Sequence, residues 1–381
     1  MFYKKGVLIK GPWSLKGDSM ADTYKKIYIT APYTVETKDV PIPEPGPGEL
    51  LIKTELSGIS SGTEMMLYMG TFPNFKLKKW PQWTDYPVCP GYELVGTVVA
   101  KGADPNQTPA DMKQLDSLQP KSACITNSVN DFEIGDRVIT MGEHGEYACL
   151  PAEFCHKIPE DLSSEESTLS ILGSTAMNAV HRANIEYGDT VAVIGAGILG
   201  YMILQHCKLA GAAKVIAIDL DDNRLEVAKA VGADLTLNPK KCNLVDEIER
   251  FNGILADRVI EATGVQGTEQ MALDIVRDRG RVVLDGWHTK PIIFEFGDFY
   301  FKEVELVASR AGGPESGLPY AYVRWTSELN VKHSLDMIAS GKIKADAFKP
   351  TMFTPDQIVE AYEMIKNRDP KLGMQAMIKW Q

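Results

Sequence analysis

The sequence predicts an α/β chain built as a β-rich domain together with a doubly wound parallel-sheet domain. Three observations carry this expectation. The chain has 381 residues, too many for one ordinary core. From Lys26 to about Thr140 short apolar runs are separated by proline and glycine clusters, the pattern of strands and turns. From Asp189 onward short apolar strands alternate with amphipathic helical stretches, which calls for a parallel sheet.

Composition narrows the class. Apolar residues make up 44% of the chain and the formal charge is −11. That balance excludes a surface that tracks nucleic-acid phosphates, and no apolar run reaches the length of a membrane helix. No sustained repeat or heptad appears. The first residues, MFYKKGVLIKGPWSLKGDSM, lack a signal-peptide core and cleavage site, so residues 1–25 are expected to be an extension, with Met20 an alternative start. Cys89, Cys124, Cys149, Cys155, Cys207 and Cys242 show no CxxC spacing and read as free thiols in a reducing, cytoplasmic setting.

In order along the chain, KIYIT and ELLIKTEL read as strands either side of VPIPEPGPG. LVGTVVAKG, FEIGDRVITM and EYACLP follow as strands, with a polar insertion at about 102–130. Ser163 or Ser164 is placed to cap a helix over SSEESTLSILGSTAMNAVHRA, with acids in its first turn. Then come TVAVIG, ILGYMILQHCKLAG, KVIAIDL, RLEVAKAVGA, DRVIEATG, a helix over TEQMALDIVRDRG, RVVLDG and EVELVAS. Two helices, near ELNVKHSLDMIASG and PDQIVEAYEMIKN, precede a last strand, GMQAMIKW.

VAVIGAGILG gives Gly195-x-Gly197-x-x-Gly200 after an apolar strand, at the head of a helix, with Asp219 ending the next strand. That context identifies a dinucleotide turn. Gly195 permits the tight turn, Gly197 lets backbone approach a pyrophosphate, and Gly200 lets helix and sheet pack closely. The helix start, at Ile198 and Leu199, offers N–H groups to phosphate. Asp219 is suited to ribose hydroxyls and repels a 2′-phosphate, so NAD is expected rather than NADP. Arg224 can lie along the adenosine, diluted by Asp221 and Asp222.

VPIPEPGPGELLIKTELSGIS, YPVCPGYELVGTVVAKG, FEIGDRV, GEYACLPAEF and VAVIGAGILG, in that order, resemble the medium-chain dehydrogenase/reductase superfamily. The resemblance implies a GroES-like β-rich catalytic domain split around a Rossmann domain: residues 26–167, then 168–311, then 312–381. It implies an interdomain substrate cleft and a homodimer or homotetramer formed through the Rossmann sheet edge. Classical members hold a catalytic zinc. Here the cysteine position of the GICGTD-like turn corresponds to Ser60 or Ser61, the histidine of GHE to Tyr92, and the third ligand region, Leu169 to Ser174, has no Cys, His or acid. Glu93 alone keeps a ligand-capable side chain, so no catalytic zinc is expected. SGISSGTE, PGYE, LGSTAMNAV and RWTSELN are most similar to the bacteriochlorophyllide a dehydrogenase-like subgroup, which implies alcohol–ketone chemistry with NAD.

Without a metal, side chains must handle the proton. Thr63 matches a family hydroxyl that passes the substrate proton; a backbone-capping role is its alternative. Tyr92 can donate to a carbonyl oxygen or, with a lowered pKa, act as base; otherwise it fills vacated volume. His144 corresponds to a pocket-lining position and suits proton transfer. Glu64 and Glu93 are supporting acids. Trp287 and His288 follow a strand at the ligand-binding edge of the sheet, and Thr175 and Thr263 are cofactor-facing by resemblance. His156, His206 and His333 fit structural roles. Tyr68, Phe72, Phe75, Trp80, Trp83 and Tyr86 form a candidate aromatic lid, or else a packed loop, and as a lid suit a sugar, sugar derivative or cyclitol. The expectation is therefore a zinc-independent, NAD-dependent dehydrogenase, with His144, Tyr92 and Thr63 catalytic. The alternatives are an NADPH-dependent quinone or enoyl reductase, an NAD-retaining epimerase, or a non-enzymatic nucleotide-sensing protein.

Overall fold

The structure, a computed structural model, describes residues 22–79, 83–105, 127–314, 323–345 and 347–381. They form two compact units: one from residues up to 157 together with 350–381, the other within 158–349. The expected boundaries at 167/168 and 311/312 are thereby displaced. The reason is helix packing. The Ser164–Ala183 helix runs against the Ser327–Ala339 helix, and both belong to the second unit. Residues 1–21, Trp80 and residues 106–126, including Cys124, lie outside the described residues.

The first unit begins with a hairpin of β1 (Thr23–Ala31) and β2 (Thr34–Pro41). Its main sheet contains β3 (Glu49–Ile59), β4 (Leu94–Lys101), β5 (Arg137–Thr140), β6 (Tyr147–Pro151), β7 (His156–Lys157), β14 (Thr351–Phe353) and β15 (Ala376–Lys379). The order is β14-β15-β3-β4-β5-β7, with β6 paired to β3. β3 is central because its alternating residues Leu50, Ile52, Thr54 and Leu56 are all buried. Its end runs into the Ser60–Gly62 turn and a short helix, Thr63–Tyr68. The late strand β15 pairs antiparallel with β3, Ala376 opposite Ile59 and Ile378 opposite Ser57. The helix Ile358–Lys366 adds Ile358, Ala361 and Tyr362 to the same core.

The aromatic residues expected as a lid belong to this core instead. Tyr68 and Phe72 are buried, and Phe75, Trp83 and Tyr86 pack against them. Phe72 meets Trp83 edge-on at 5.7 Å, and the Trp83 indole donates to the Cys89 carbonyl at 2.9 Å. Rings this large gain more from burial than from waiting at a surface.

The second unit is a six-stranded parallel sheet in the order β10-β9-β8-β11-β12-β13. The strands are β8 (Thr190–Ile194), β9 (Lys214–Ile218), β10 (Leu235–Leu237), β11 (Ala256–Glu261), β12 (Val276–Leu284) and β13 (Glu305–Ala308). β8 is buried along its whole length, as a strand covered on both faces must be. The helix expected over TEQMALDIVRDRG stops at Ile275, because Val276 pairs with Ala256 and opens β12. Ser163 is the cap of the Ser164–Ala183 helix: its side chain accepts from the Glu166 N–H, and the Glu166 carboxylate returns to Ser163.

Gly173 is where this helix meets its neighbours. A Cβ there would stand 1.8 Å from Ser334 Oγ and 3.0 Å from Met202 Cε. Gly173→Ala is expected to lower stability by about 1–3 kcal/mol, although alanine is the better helix former. The double variant Gly173→Ala/Ser334→Gly should recover most of the loss, as read from urea midpoints.

Candidate functional site

Two clusters of the expected residues form, one in each unit. The first is built on the turn after β3. Tyr92 donates its phenol to Ser60 Oγ at 2.6 Å, and the Thr63 N–H reaches the same oxygen at 3.3 Å. The Ser60 N–H is held by Glu64 Oε1 at 2.9 Å. Ser61 and Gly62 are exposed, and Thr63 and Tyr92 partly so. Burial pushes the Tyr92 phenol well above its ordinary value; the Glu93 and Glu64 carboxylates add to this, and the Ser60 and Thr63 hydroxyls oppose it. The alternative of Tyr92 as a base with a lowered pKa is therefore corrected: this phenol keeps its proton and donates.

His144 also differs from expectation. It is fully buried, with Nδ1 2.8 Å from Ser57 Oγ and Nε2 3.0 Å from Glu64 Oε2. Trp380 supplies its indole N–H to Ser57 Oγ at 2.9 Å, and the Tyr362 phenol supplies its proton to Glu64 Oε2 at 2.6 Å. An indole N–H only donates. With the Nε2 proton directed at the Glu64 carboxylate, Ser57 Oγ, which accepts from Trp380, can donate to His144 Nδ1. Both ring nitrogens are committed inside the unit, so His144 braces the turn through Glu64. Glu64 is likewise fully buried, held among Ser60, His144 and Tyr362. Sequence reasoning missed Ser57, Tyr362 and Trp380, whose only local signal was a polar or amphipathic residue in an apolar run.

Glu93 is fully buried beside this group. One oxygen accepts from Gln375 Nε2 at 2.6 Å, while the other, and Gln375 Oε1, have no hydrogen-bond partner among the described residues. Burial raises its carboxyl to about 8; the Gln375 hydrogen bond acts against that and Glu64 adds to it. At Gly58 a Cβ would stand 2.5 Å from Glu93 Oε2, so this pair explains a glycine within β3. The donor chemistry does not fit a zinc ion: two hydrogen-bonded hydroxyls and a carboxyl whose burial favours the neutral form stand where ligands would be needed. Among the described residues no group of three or more His, Cys, Asp or Glu could hold a metal.

The second cluster lies along the C-terminal edge of the parallel sheet. Gly195 adopts φ +99°, and a Cβ would meet Thr263 Cγ2 at 2.6 Å; at Gly200 it would meet the Gly195 carbonyl at 1.8 Å. Both positions demand glycine. Gly197 precedes the Ile198–Leu209 helix, which has no side-chain cap, and Gly197, Ile198 and Leu199 are partly exposed. First-turn N–H groups without a cap suit phosphate. Asp219 Oδ2 accepts from the Ala196 N–H at 2.7 Å, and Oδ1 from the Asp221 N–H at 2.9 Å. Arg224 stands 3.9 Å from both Asp219 and Asp221. These residues fit a dinucleotide.

Further along the same edge, Glu261 is a buried acceptor. It takes hydrogen bonds from the Thr263 N–H at 2.8 Å, the Thr263 and Thr268 hydroxyls, the Gly264 N–H, and His288 Nε2 at 3.0 Å. His288 is thus tied to the sheet edge, while Trp287 is 43% exposed. The Thr175 hydroxyl accepts from the Gly312 N–H at 3.1 Å, a contact within the unit. His206 fits its structural expectation: burial lowers it to about 4, so it stays neutral.

Because its folded-state value lies above the ordinary 4.5, Glu93 adds stability that is complete below about pH 4.5 and lost as pH rises through about 8. Thermal melts should show that loss in the wild type. Glu93→Gln, which cannot ionise, is expected to flatten it and to melt higher than the wild type above pH 8.

Residues 46–184 match the alcohol dehydrogenase GroES-like domain, and residues 199–328 the zinc-binding dehydrogenase domain. Sorbitol dehydrogenase of Ovis aries is 27% identical over 363 residues, covering 93% of this chain and 95% of its own. Among solved structures, a short chain alcohol dehydrogenase of E. coli CFT073 complexed with NADH aligns with TM-score 0.72 at 22% identity, over 94% of this chain and 99% of that one. A protein of Sinorhizobium meliloti 1021 bound to NADP aligns with TM-score 0.73 at 22% identity, over 94% and 100%. The two family matches, in order along the chain, and the similarity to sorbitol dehydrogenase over nearly its whole length agree: the chain belongs to the medium-chain dehydrogenase/reductase superfamily.

Proposed function

We propose that this protein is an NAD-dependent oxidoreductase that interconverts a secondary alcohol and a ketone without zinc, on a polyol, sugar derivative or cyclitol. The observation that carries the reading is the intact Gly195–Gly197–Gly200 turn, with Asp219 anchored to it through the Ala196 N–H. Bound there, a nicotinamide dinucleotide supplies the hydride acceptor or donor. Gly197, Ile198 and Leu199 would hold its phosphates and Asp219 its ribose hydroxyls. Asp219 disfavours a 2′-phosphate, and Arg224 is shared with Asp221. Thr263 and His288, ordered by Glu261, and Thr175 are proposed to line the nicotinamide end.

The polyol class is supported by similarity to sorbitol dehydrogenase across nearly the whole chain. Zinc independence is supported by the donor set around Ser60, Tyr92 and Glu93. Those residues also favour the zinc-free, bacteriochlorophyllide a dehydrogenase-like branch, within which the pigment substrate does not follow. Tyr92 and Thr63 remain proton-handling candidates, and His144 becomes a positioning residue acting through Glu64.

The deciding experiment is an NAD-reduction screen across sugars, sugar acids and cyclitols. NADH is expected to bind more tightly than NADPH by fluorescence titration, and the reverse order overturns the assignment of Asp219. Asp219→Ala should weaken NADH binding about tenfold, the worth of one to two hydrogen bonds. Activity is expected to survive dialysis against a chelator, with no stoichiometric zinc by elemental analysis.

A further inference from the structure

Ser60 is the point where the turn, Tyr92 and the Glu64 network meet. A serine hydroxyl has two lone pairs and one proton. Its oxygen accepts from the Tyr92 phenol at 2.6 Å and from the Thr63 N–H at 3.3 Å, so both lone pairs are in use. The proton must then point away from both, and among the described residues no acceptor is paired with it. The Ser60 N–H is held by Glu64 at 2.9 Å, which fixes the backbone, while the Tyr92 and Thr63 bonds fix the direction of Oγ. Ser60 itself is buried, 9% exposed, but exposed Ser61 and Gly62 follow directly, so the oriented hydroxyl lies just beneath the surface of its unit. Thr63 spends its own N–H on holding Ser60, and His144 has no nitrogen to offer.

We propose that Ser60 is the catalytic proton donor to the carbonyl oxygen of the substrate, with Tyr92 behind it as the group that restores its proton. This rests on the alcohol–ketone reading above. In the reductive direction a bound reduced nicotinamide would supply the hydride that the carbonyl carbon gains, and would be oxidised to NAD as the ketone is reduced. The Ser60 Oγ–H bond breaks as the new O–H bond forms on the substrate. Ser60 Oγ takes the phenolic proton of Tyr92, and Tyr92 is reprotonated from water. The sum is ketone, NADH and a proton giving alcohol and NAD. The hydrogen bond from Tyr92 to Ser60 already runs in the direction that this relay needs.

The test has two arms. In turnover, Ser60→Ala should lower kcat for ketone reduction by tenfold or more, since a positioned acid contributes about 10²–10⁴. It should also lose the solvent deuterium isotope effect, leave NADH affinity by fluorescence unchanged, and be partly rescued by Ser60→Thr. Without turnover, carbonyl-¹³C cyclohexanone is added to protein saturated with NAD, where it cannot be reduced. Wild type and Ser60→Thr should shift the carbonyl resonance downfield; Ser60→Ala should not. Ketone turnover with no shift, or with Ser60→Ala within twofold of wild type, overturns the Ser60 assignment alone. A Ser60-dependent shift with no ketone reduced by NADH or NADPH overturns the dehydrogenase reading, and the catalytic step with it.

Discussion

A carboxylate removed from water must be surrounded by donors, and meeting that requirement at Glu64 organises the first unit. Its two oxygens draw on the backbone of Ser60, the imidazole of His144 and the phenol of Tyr362. Each donor comes from a different stretch of the chain. His144 is in turn oriented by Ser57 on β3, and Ser57 by Trp380 beyond β15. Removing any one partner leaves a buried polar group uncompensated, so the network holds as a set. The Ser60–Gly62 turn inherits its geometry from this set.

The contrast with the second unit is one of locality. There the glycine turn, the strand before it and the helix after it are contiguous, and Asp219 lies at the end of the next strand. A cofactor cradle assembled from neighbouring residues can be read directly from spacing, because backbone sterics dictate where glycine must fall. The alternation of strand and helix and a helix start at Ser163 or Ser164 were legible for the same reason.

The chemistry of the first unit was less legible. SGISSGTE shows a departure from a zinc turn, but the partners of its side chains lie far along the chain. Glu64 meets His144 across 80 residues and Tyr362 across 298. Histidine type and family position together favoured a pocket-lining proton carrier, and only the folded contacts show both ring nitrogens engaged. Tyr92 was ambiguous because residue type does not tell whether surroundings raise or lower a phenol; burial among acids decides it. Ser60 looked like a lost ligand, and its value depends on which lone pairs are taken, a property that sequence spacing does not carry.

The long reach of the Glu64 network bears on how the protein is made. When Ser57–Glu64 leaves the ribosome, roughly 300 residues remain to be added before Tyr362 and Trp380 exist, about 15–60 s of synthesis at ordinary rates. Throughout that interval β3 lacks its partner β15, and Glu64 stays hydrated in an open edge. The second unit is complete earlier in the chain, at Lys349, and can fold while the nascent first unit is still waiting. The order of synthesis thus makes the Ser60–Gly62 turn the last part of the molecule to mature.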